Sequence, residues 1–189
     1  MSTYCHPTRQ LKTLVHGDDF VTVGDVKDLE WLKKVLEGRF EIKSQVIGTG
    51  KGECQEGKVL NRIIRVVDGG WEYEADQRHA DHLVKALNLE EAKELLTPTE
   101  EDKAWLKDEE EEKLDEAKAT EFRSLGARAN YLASDRVDIQ YPVKELCRET
   151  SSPTVGARRK LKRLARYLKG RPRVVSKFWF QGRQEAIDG

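Results

Sequence analysis

Two adjacent carboxylates, Asp18 and Asp19, stand between the short apolar runs Leu14-Val15 and Phe20-Val21-Thr22-Val23, with Gly17 in front of them. Apolar runs flanking Gly-Asp-Asp spell a β-hairpin whose tip is made of turn formers. A tight turn lets neighbouring side chains reach one exposed site. Nucleotidyl transfer needs such a site, because it uses two divalent cations about 3.5–4 Å apart, one activating the attacking hydroxyl and one stabilising the leaving phosphate. Magnesium takes a few hard carboxylate oxygens and leaves its other positions to water and substrate phosphates. Asp18 and Asp19 are therefore the candidate catalytic and metal-binding residues, with two Mg2+ ions as the cofactor. Gly-Asp-Asp is also ordinary turn chemistry, so the reading depends on what surrounds it.

A second group of residues suits polyanions. Arg158, Arg159, Lys162, Arg163, Arg166 and Lys169 lie off the apolar stripe Leu161, Leu164, Ala165 and Leu168 of a helix expected over Pro153 to Lys169. Cations free on such a face neutralise phosphates and release counterions; a solvated helix face is the alternative. Trp71 and Tyr73 serve either as contacts to sugar or base or as core residues. His79 and His82 are three apart with no carboxylate on their face, a pattern of solvated rather than metal-bound histidines. Cys5 and His6 have no second pair to complete a tetrahedral zinc site.

The elements that must position these groups follow from pattern and punctuation. After the hairpin over Lys12 to Val23, Asp25 caps a helix carrying Leu29, Leu32, Val35 and Leu36, which Gly38 ends. Phe40 to Ile47 reads as a strand and Gly48 to Gly57 as a polar loop. A second hairpin joins Val59–Val67 to Trp71–Ala75 through Asp68-Gly69-Gly70, with positive φ expected at the glycines. Asp76 caps a helix with the stripe Ala80, Leu83, Val84 and Leu87. Glu109 and Lys113, at i, i+4, suit a solvated helix. Phe122, Leu125, Ala129 and Leu132 mark another helix over Phe122 to Ala133. The stretch from Asp135 to Pro142 breaks it, and a short helix runs from Val143 to Arg148. In the last helix Ser152 is the cap, Pro153 occupies the first turn, and Gly170 and Pro172 form the stop. Val174 to Phe180 closes the chain as a strand.

The 189 residues carry no net charge, but the charge is segregated. Glu90 to Glu121 holds 14 acidic and 5 basic residues, a local −9, whereas Ser151 to Gly189 holds 11 basic and 2 acidic, a local +9. One end attracts polyanions and the middle does not. Three scattered cysteines fit free thiols in a reducing compartment. With no signal-peptide core and no long apolar run, the chain reads as a soluble intracellular protein, cytoplasmic or nuclear, with no membrane partner.

The order of the segments carries a resemblance. Leu14-Val15-His16-Gly17-Asp18-Asp19-Phe20-Val21, the capped helix and Gly38-Arg39-Phe40-Glu41-Ile42-Lys43 resemble the catalytic palm hairpin of copia-type retrotransposon reverse transcriptases. Phe122-Arg123-Ser124-Leu125, Asn130-Tyr131-Leu132-Ala133, Arg136-Val137-Asp138-Ile139 and Leu161 to Gly170 are similar to the distal block of the same family, over nearly the whole chain. The resemblance implies an α+β fold, a partial right-hand polymerase. Residues 1–75 would be the back of the palm with a primer-gripping hairpin. Residues 76–121 would be a thumb-like helix and acidic segment, and residues 122–189 connection-like helices and a terminal strand. It implies an RNA-directed DNA polymerase fragment of a Pol polyprotein, inactive in isolation. Its partners would be primer–template nucleic acid, deoxynucleotides and the rest of the polyprotein, namely the fingers, upstream palm and ribonuclease H. The sequence departs from the pattern in two places. His16 and Gly17 replace the usual aromatic and small aliphatic residues before the pair, and no aspartate occurs among the 17 residues ahead of Asp18 to supply the third palm carboxylate. A non-catalytic nucleic-acid-binding remnant, and an interaction protein using the acidic segment, are the alternatives.

Overall fold

A computed structural model describes residues 2–99 and 112–181. The expected helix around Glu109 and the end of the chain at Ile187-Asp188-Gly189 lie outside those residues. The fold is mixed α and β, with antiparallel sheets, and divides into two compact units, Met1–Val59 and Leu60–Gly189. The hairpin expected to belong to a palm thus groups with the helices that follow it. No helix among the described residues is long and apolar enough to cross a membrane.

In the first unit, β1 (Ser2–Cys5), β2 (Lys12–His16) and β3 (Asp19–Val23) form an antiparallel sheet in that order. His16 pairs with Asp19, so Gly17 and Asp18 are the two turn residues, and Gly17 takes φ +58°. A glycine at the first turn position is what a two-residue hairpin of matching twist requires. The Thr13 and Thr22 hydroxyls meet across the sheet at 3.0 Å.

α1 (Val26–Glu37) follows. Its start is held by the Asp25 carbonyl, which accepts from the Asp28 and Leu29 amides, not by the Asp25 carboxylate expected to cap it. Gly38 keeps a right-handed φ of −75°. Leu29, Leu32, Val35 and Leu36 are only half-buried, and Leu11 is the fully buried hydrophobic residue among the described residues of this unit. The loop after β1 grips the helix through Arg9, which pairs with Asp28 and lies 4.0 Å from the centroid of the Trp31 ring, whose other neighbour is the edge-on His6 ring.

The expected strand over Phe40 to Ile47 is not there; residues 41–46 are irregular and Ile47 makes a lone parallel bridge to Cys54. The cause is local. Cys54 donates to Val46 O and receives from Gly48 N, so the chain closes on itself around the loop instead of pairing along a sheet. β4 (Glu56–Val59) ends the unit.

The second unit pairs β5 (Arg62–Val67) with β6 (Gly70–Glu74) and β6 with β7 (Val175–Trp179), all antiparallel. Val67 pairs with Gly70, leaving Asp68-Gly69 as the turn with Gly69 at φ +75°. Positive φ, expected of both glycines, belongs to Gly69 alone. Gly70 is required for another reason, since a Cβ there would sit 2.4 Å from Phe178 O of the neighbouring strand.

Helices α2 (Arg78–Ala86), α3 (Glu116–Ala133), α4 (Gln140–Arg148) and α5 (Val155–Gly170), with a 3-10 turn over Val137–Ile139, enclose the core. Ala80, Leu83 and Leu87 meet Phe122, Leu125, Ala129 and Leu132, then Val143 and Leu146, then Leu161, Leu164, Ala165 and Leu168. These are the stripes that 3.6-residue periodicity indicates. The helix ends differ from expectation. α3 begins six residues early because Asp115 accepts from the Lys118 amide at 2.9 Å. α4 begins at Gln140 and takes Pro142 into its first turn, where no amide partner is lost. α5 is capped by Thr154, whose hydroxyl accepts from Ala157 N at 3.0 Å, not by Ser152. Pro153 O and Val155 N bond to residues 114 and 112, which holds Pro153 outside the helix and passes the capping position to Thr154.

Candidate functional site

Asp18 and Asp19 are both exposed at the β2–β3 tip, one in the turn and one opening β3. Among the described residues neither carboxylate has a hydrogen-bond or ion-pair partner, and no group of three or more His, Cys, Asp or Glu converges to hold a metal. The pair supplies hard oxygens of the kind magnesium prefers, but it supplies two residues only. A further ligand must come from outside the described residues for two ions to be held.

The cationic face expected on the last helix is occupied. Arg158 pairs with Glu121 at 2.7 Å. Arg163 donates to Thr99 O and Thr97 Oγ1, Arg166 to Lys93 O at 2.6 Å, and Lys169 to Ala92 O at 2.9 Å. Arg159 is engaged as well, and Lys162 is half-buried. No residue from Val155 to Gly170 is exposed. Arg158, Arg159, Arg163, Arg166 and Lys169 are thus engaged within the protein, which differs from the free face expected of them. The stretch after α2, whose backbone carbonyls accept from three of them, lies over that face.

Trp71 and Tyr73 are half-buried on β6. Trp71 stands between Val66 and Phe178 across the sheet. Tyr73 donates its hydroxyl to Asp135 Oδ1 at 2.6 Å, and Arg62 Nε donates to the other oxygen at 2.8 Å. Burial, and then the hydrogen bond donated to the Asp135 carboxylate, whose charge would repel a phenolate, push the Tyr73 hydroxyl far above its usual range. Tyr73 is thus a fixed donor and not an acid at neutral pH.

Around it stands a group that neither composition nor spacing indicates. Arg62 reaches to 5.5 Å from the centroid of the Tyr131 ring, and the His79 ring packs 4.8 Å from the same ring. Asp76, expected as the cap of the helix, does accept from the Arg78 amide at 3.1 Å, but it also takes a two-pronged grip from the Arg78 guanidinium. That hydrogen bonding holds Asp76 below the usual carboxylate range against the opposing effect of burial. Burial lowers His79 despite the pull of Asp76, 3.7 Å away. His82, on the same helix, is exposed.

Two more buried clamps hold the C-terminal part together. Glu74 accepts two bonds from Arg173, at 2.7 and 2.8 Å, and one from Arg65 at 2.9 Å. The Arg173 bonds first, and then those of Arg65, lower its pKa past the opposing effect of burial. Asp138 accepts from Arg136 and from the Tyr167 hydroxyl; burial opposes its ionisation, and these bonds outweigh it, so its pKa is lowered too.

A carboxyl whose folded pKa is depressed adds stability above its unfolded pKa, and that stability is lost as pH falls through the folded value. With Glu74, Asp76 and Asp138 all depressed, urea midpoints followed by far-UV circular dichroism should be level above about pH 5 and fall below about pH 4, where free carboxylates begin to protonate. Midpoints unchanged between about pH 5 and 3 would contradict these assignments.

No known family profile, no curated protein and no solved structure matches the chain.

Proposed function

We propose that the chain is part of an RNA-directed DNA polymerase of the copia-type retrotransposon kind, with Asp18 and Asp19 holding Mg2+ at the site of nucleotidyl transfer. The observation that carries the reading is the exposed carboxylate pair at the β2–β3 tip, with no cation among the described residues to neutralise it. Two adjacent charges repel, and a shared divalent ion relieves that repulsion while leaving its outer positions for substrate phosphates. When bound, the ions supply charge stabilisation for the attacking primer hydroxyl and the departing pyrophosphate.

The chain's own residues have simpler tasks. Asp18 and Asp19 present oxygens from the tip of the antiparallel β2–β3 hairpin, and α1 follows in the order that the family resemblance implies. Primer–template nucleic acid and deoxynucleotides are the partners in this reading, and the rest of the polyprotein, including the fingers, upstream palm and ribonuclease H, supplies the missing ligand. A non-catalytic nucleic-acid-binding role is the second reading, favoured by the two-residue ligand set.

Paramagnetic Mn2+ tests the metal site in the isolated chain. Added at sub-stoichiometric amounts, it should broaden the amide resonances of Gly17 to Phe20 first, and Asp18→Asn with Asp19→Asn should remove that selectivity. Broadening confined to the acidic stretch from Glu90 to Glu121, with the tip unaffected, would sink the metal reading.

A further inference from the structure

Tyr131, on the last turn of α3, is 47% exposed although two neighbours hold its ring. His79 packs against it at 4.8 Å, tilted by 49°, and the Arg62 guanidinium lies 5.5 Å from its centroid. A large aromatic side chain held in place but left half in water is an available stacking surface.

The charges around it are arranged in an unusual sense. Shielding both partners of an ion pair costs the desolvation of two charges, and the pair here is shielded on one side only. At Asp76–Arg78 the carboxylate is buried, with its side chain 8% exposed, while the arginine side chain is 65% exposed. Nε and Nη2 of Arg78 are fixed on Asp76, and Nη1 has no partner among the described residues. Arg62, whose side chain is 18% exposed, is held among the described residues by a single bond from Nε to Asp135, to which Tyr73 also donates. The two acids fix both guanidinium groups, Arg62 over the Tyr131 ring and Arg78 one residue before the His79 that packs against it, which removes rotamer freedom that a ligand would otherwise have to restrict. Behind them Arg128 Nε is buried without a partner, and its Nη1 lies 3.5 Å from His79 Nδ1.

We propose that Tyr131, flanked by Arg78 and Arg62, is a contact site for single-stranded nucleic acid, in which an unpaired base stacks on the phenol ring and the adjoining phosphates meet the two guanidinium groups. A stacked duplex has no base face to offer, whereas a single strand offers one at every residue. Planar guanidinium forks match phosphate oxygens, and contacts of this type read the backbone rather than the base. The site lies wholly in the second unit and includes none of the α5 cations. The inference rests on nucleic acid being the partner, and it is independent of the metal chemistry at Asp18 and Asp19.

Fluorescence anisotropy of a labelled twelve-nucleotide oligothymidylate, titrated with the full chain in the absence of divalent metal, separates the outcomes. Tyr131→Ala should weaken binding about tenfold, and Tyr131→Trp should retain it. Arg78→Gln should weaken binding and flatten the salt dependence by about 0.7 for each phosphate it no longer neutralises. Lys144→Gln, at an exposed position on α4, should change nothing. Circular dichroism must first show each variant folded. If the parent binds and the Tyr131→Ala variant binds equally well, the stacking site is overturned while the nucleic-acid reading stands. If the parent does not bind at all, both fall. Equal competition by polyglutamate would mark a general polyanion surface and would also overturn the proposal.

Discussion

Replacing Arg136 with alanine should lower the unfolding free energy of the second unit by about 3–5 kcal/mol, the cost of removing one partner of a buried pair. Arg136 is 1% exposed and is one of the largest side chains fully enclosed in the fold. Its Nε and Nη2 fork onto Asp138 at 2.9 and 2.7 Å. Its remaining donors go to Arg171 O at 3.0 Å and Pro172 O at 3.3 Å, at the point where α5 ends and the chain turns toward β7. Tyr167 closes the group by donating to Asp138 at 2.9 Å.

Truncation leaves Asp138 charged without its cation and removes the donor that Arg136 gives to two carbonyls, and an unmade bond at a buried group costs more than a made one gains. The damage should spread along the chain, with the amides of Val175 to Trp179 exchanging faster, because the clamp fixes how β7 approaches β6. Urea unfolding of the variant checks the first claim and hydrogen exchange the second. A loss under about 1 kcal/mol would mean that the clamp is incidental to stability. Replacing Arg136 and Asp138 together with apolar residues should cost less than Arg136→Ala alone, since no charge is then stranded.

A second large effect is expected at Phe122. It is 1% exposed and packs at the centre of α3 among Leu125, Leu146 and Leu161 of the common core. Phe122→Ala removes an aromatic ring and leaves a cavity that the surrounding helices fill only in part, at a cost of about 3–5 kcal/mol. Leu32→Ala in α1 should cost about 1 kcal/mol by contrast, because no residue of that helix is fully buried. Equal losses at both positions, measured by urea unfolding, would refute the difference in burial between the two units.

Much of the second unit is legible in the sequence. Leu83, Leu125, Leu132, Leu161 and Leu168 recur at helical spacing, and each is buried. Periodicity reports which face is apolar, and burial of that face is the main driving force. Three things are not legible, each for a physical reason. The alternation of Phe40, Ile42 and Val46 suggests a strand, but a strand needs a partner, and the loop closing through Cys54 removes the chance of one. The positive charge of α5 suggests a free face, but its partners are the backbone carbonyls of Ala92, Lys93 and Thr99, which every sequence possesses and none advertises. Asp135 reads as a helix breaker, and its role depends on Arg62 and Tyr73, which are 73 and 62 residues away.

The candidate metal site divides in the same way. The hairpin register and the exposure of Asp18 and Asp19 follow from Gly17 and the flanking apolar runs, which are local. The number of ligands is a long-range property, and local pattern does not supply it.

Primer extension tests the polymerase reading most directly. The chain joined to the fingers and upstream palm of a copia-type reverse transcriptase should extend a primer on an RNA template with Mg2+ and deoxynucleotides, whereas the 189-residue chain alone should not. Asp18→Asn in the joined protein should reduce the rate by about a thousandfold, because a missing metal ligand forfeits several kcal/mol of transition-state stabilisation and each tenfold corresponds to about 1.4 kcal/mol. Extension that survives Asp18→Asn and Asp19→Asn at the parent rate would contradict the assignment of these carboxylates to catalysis.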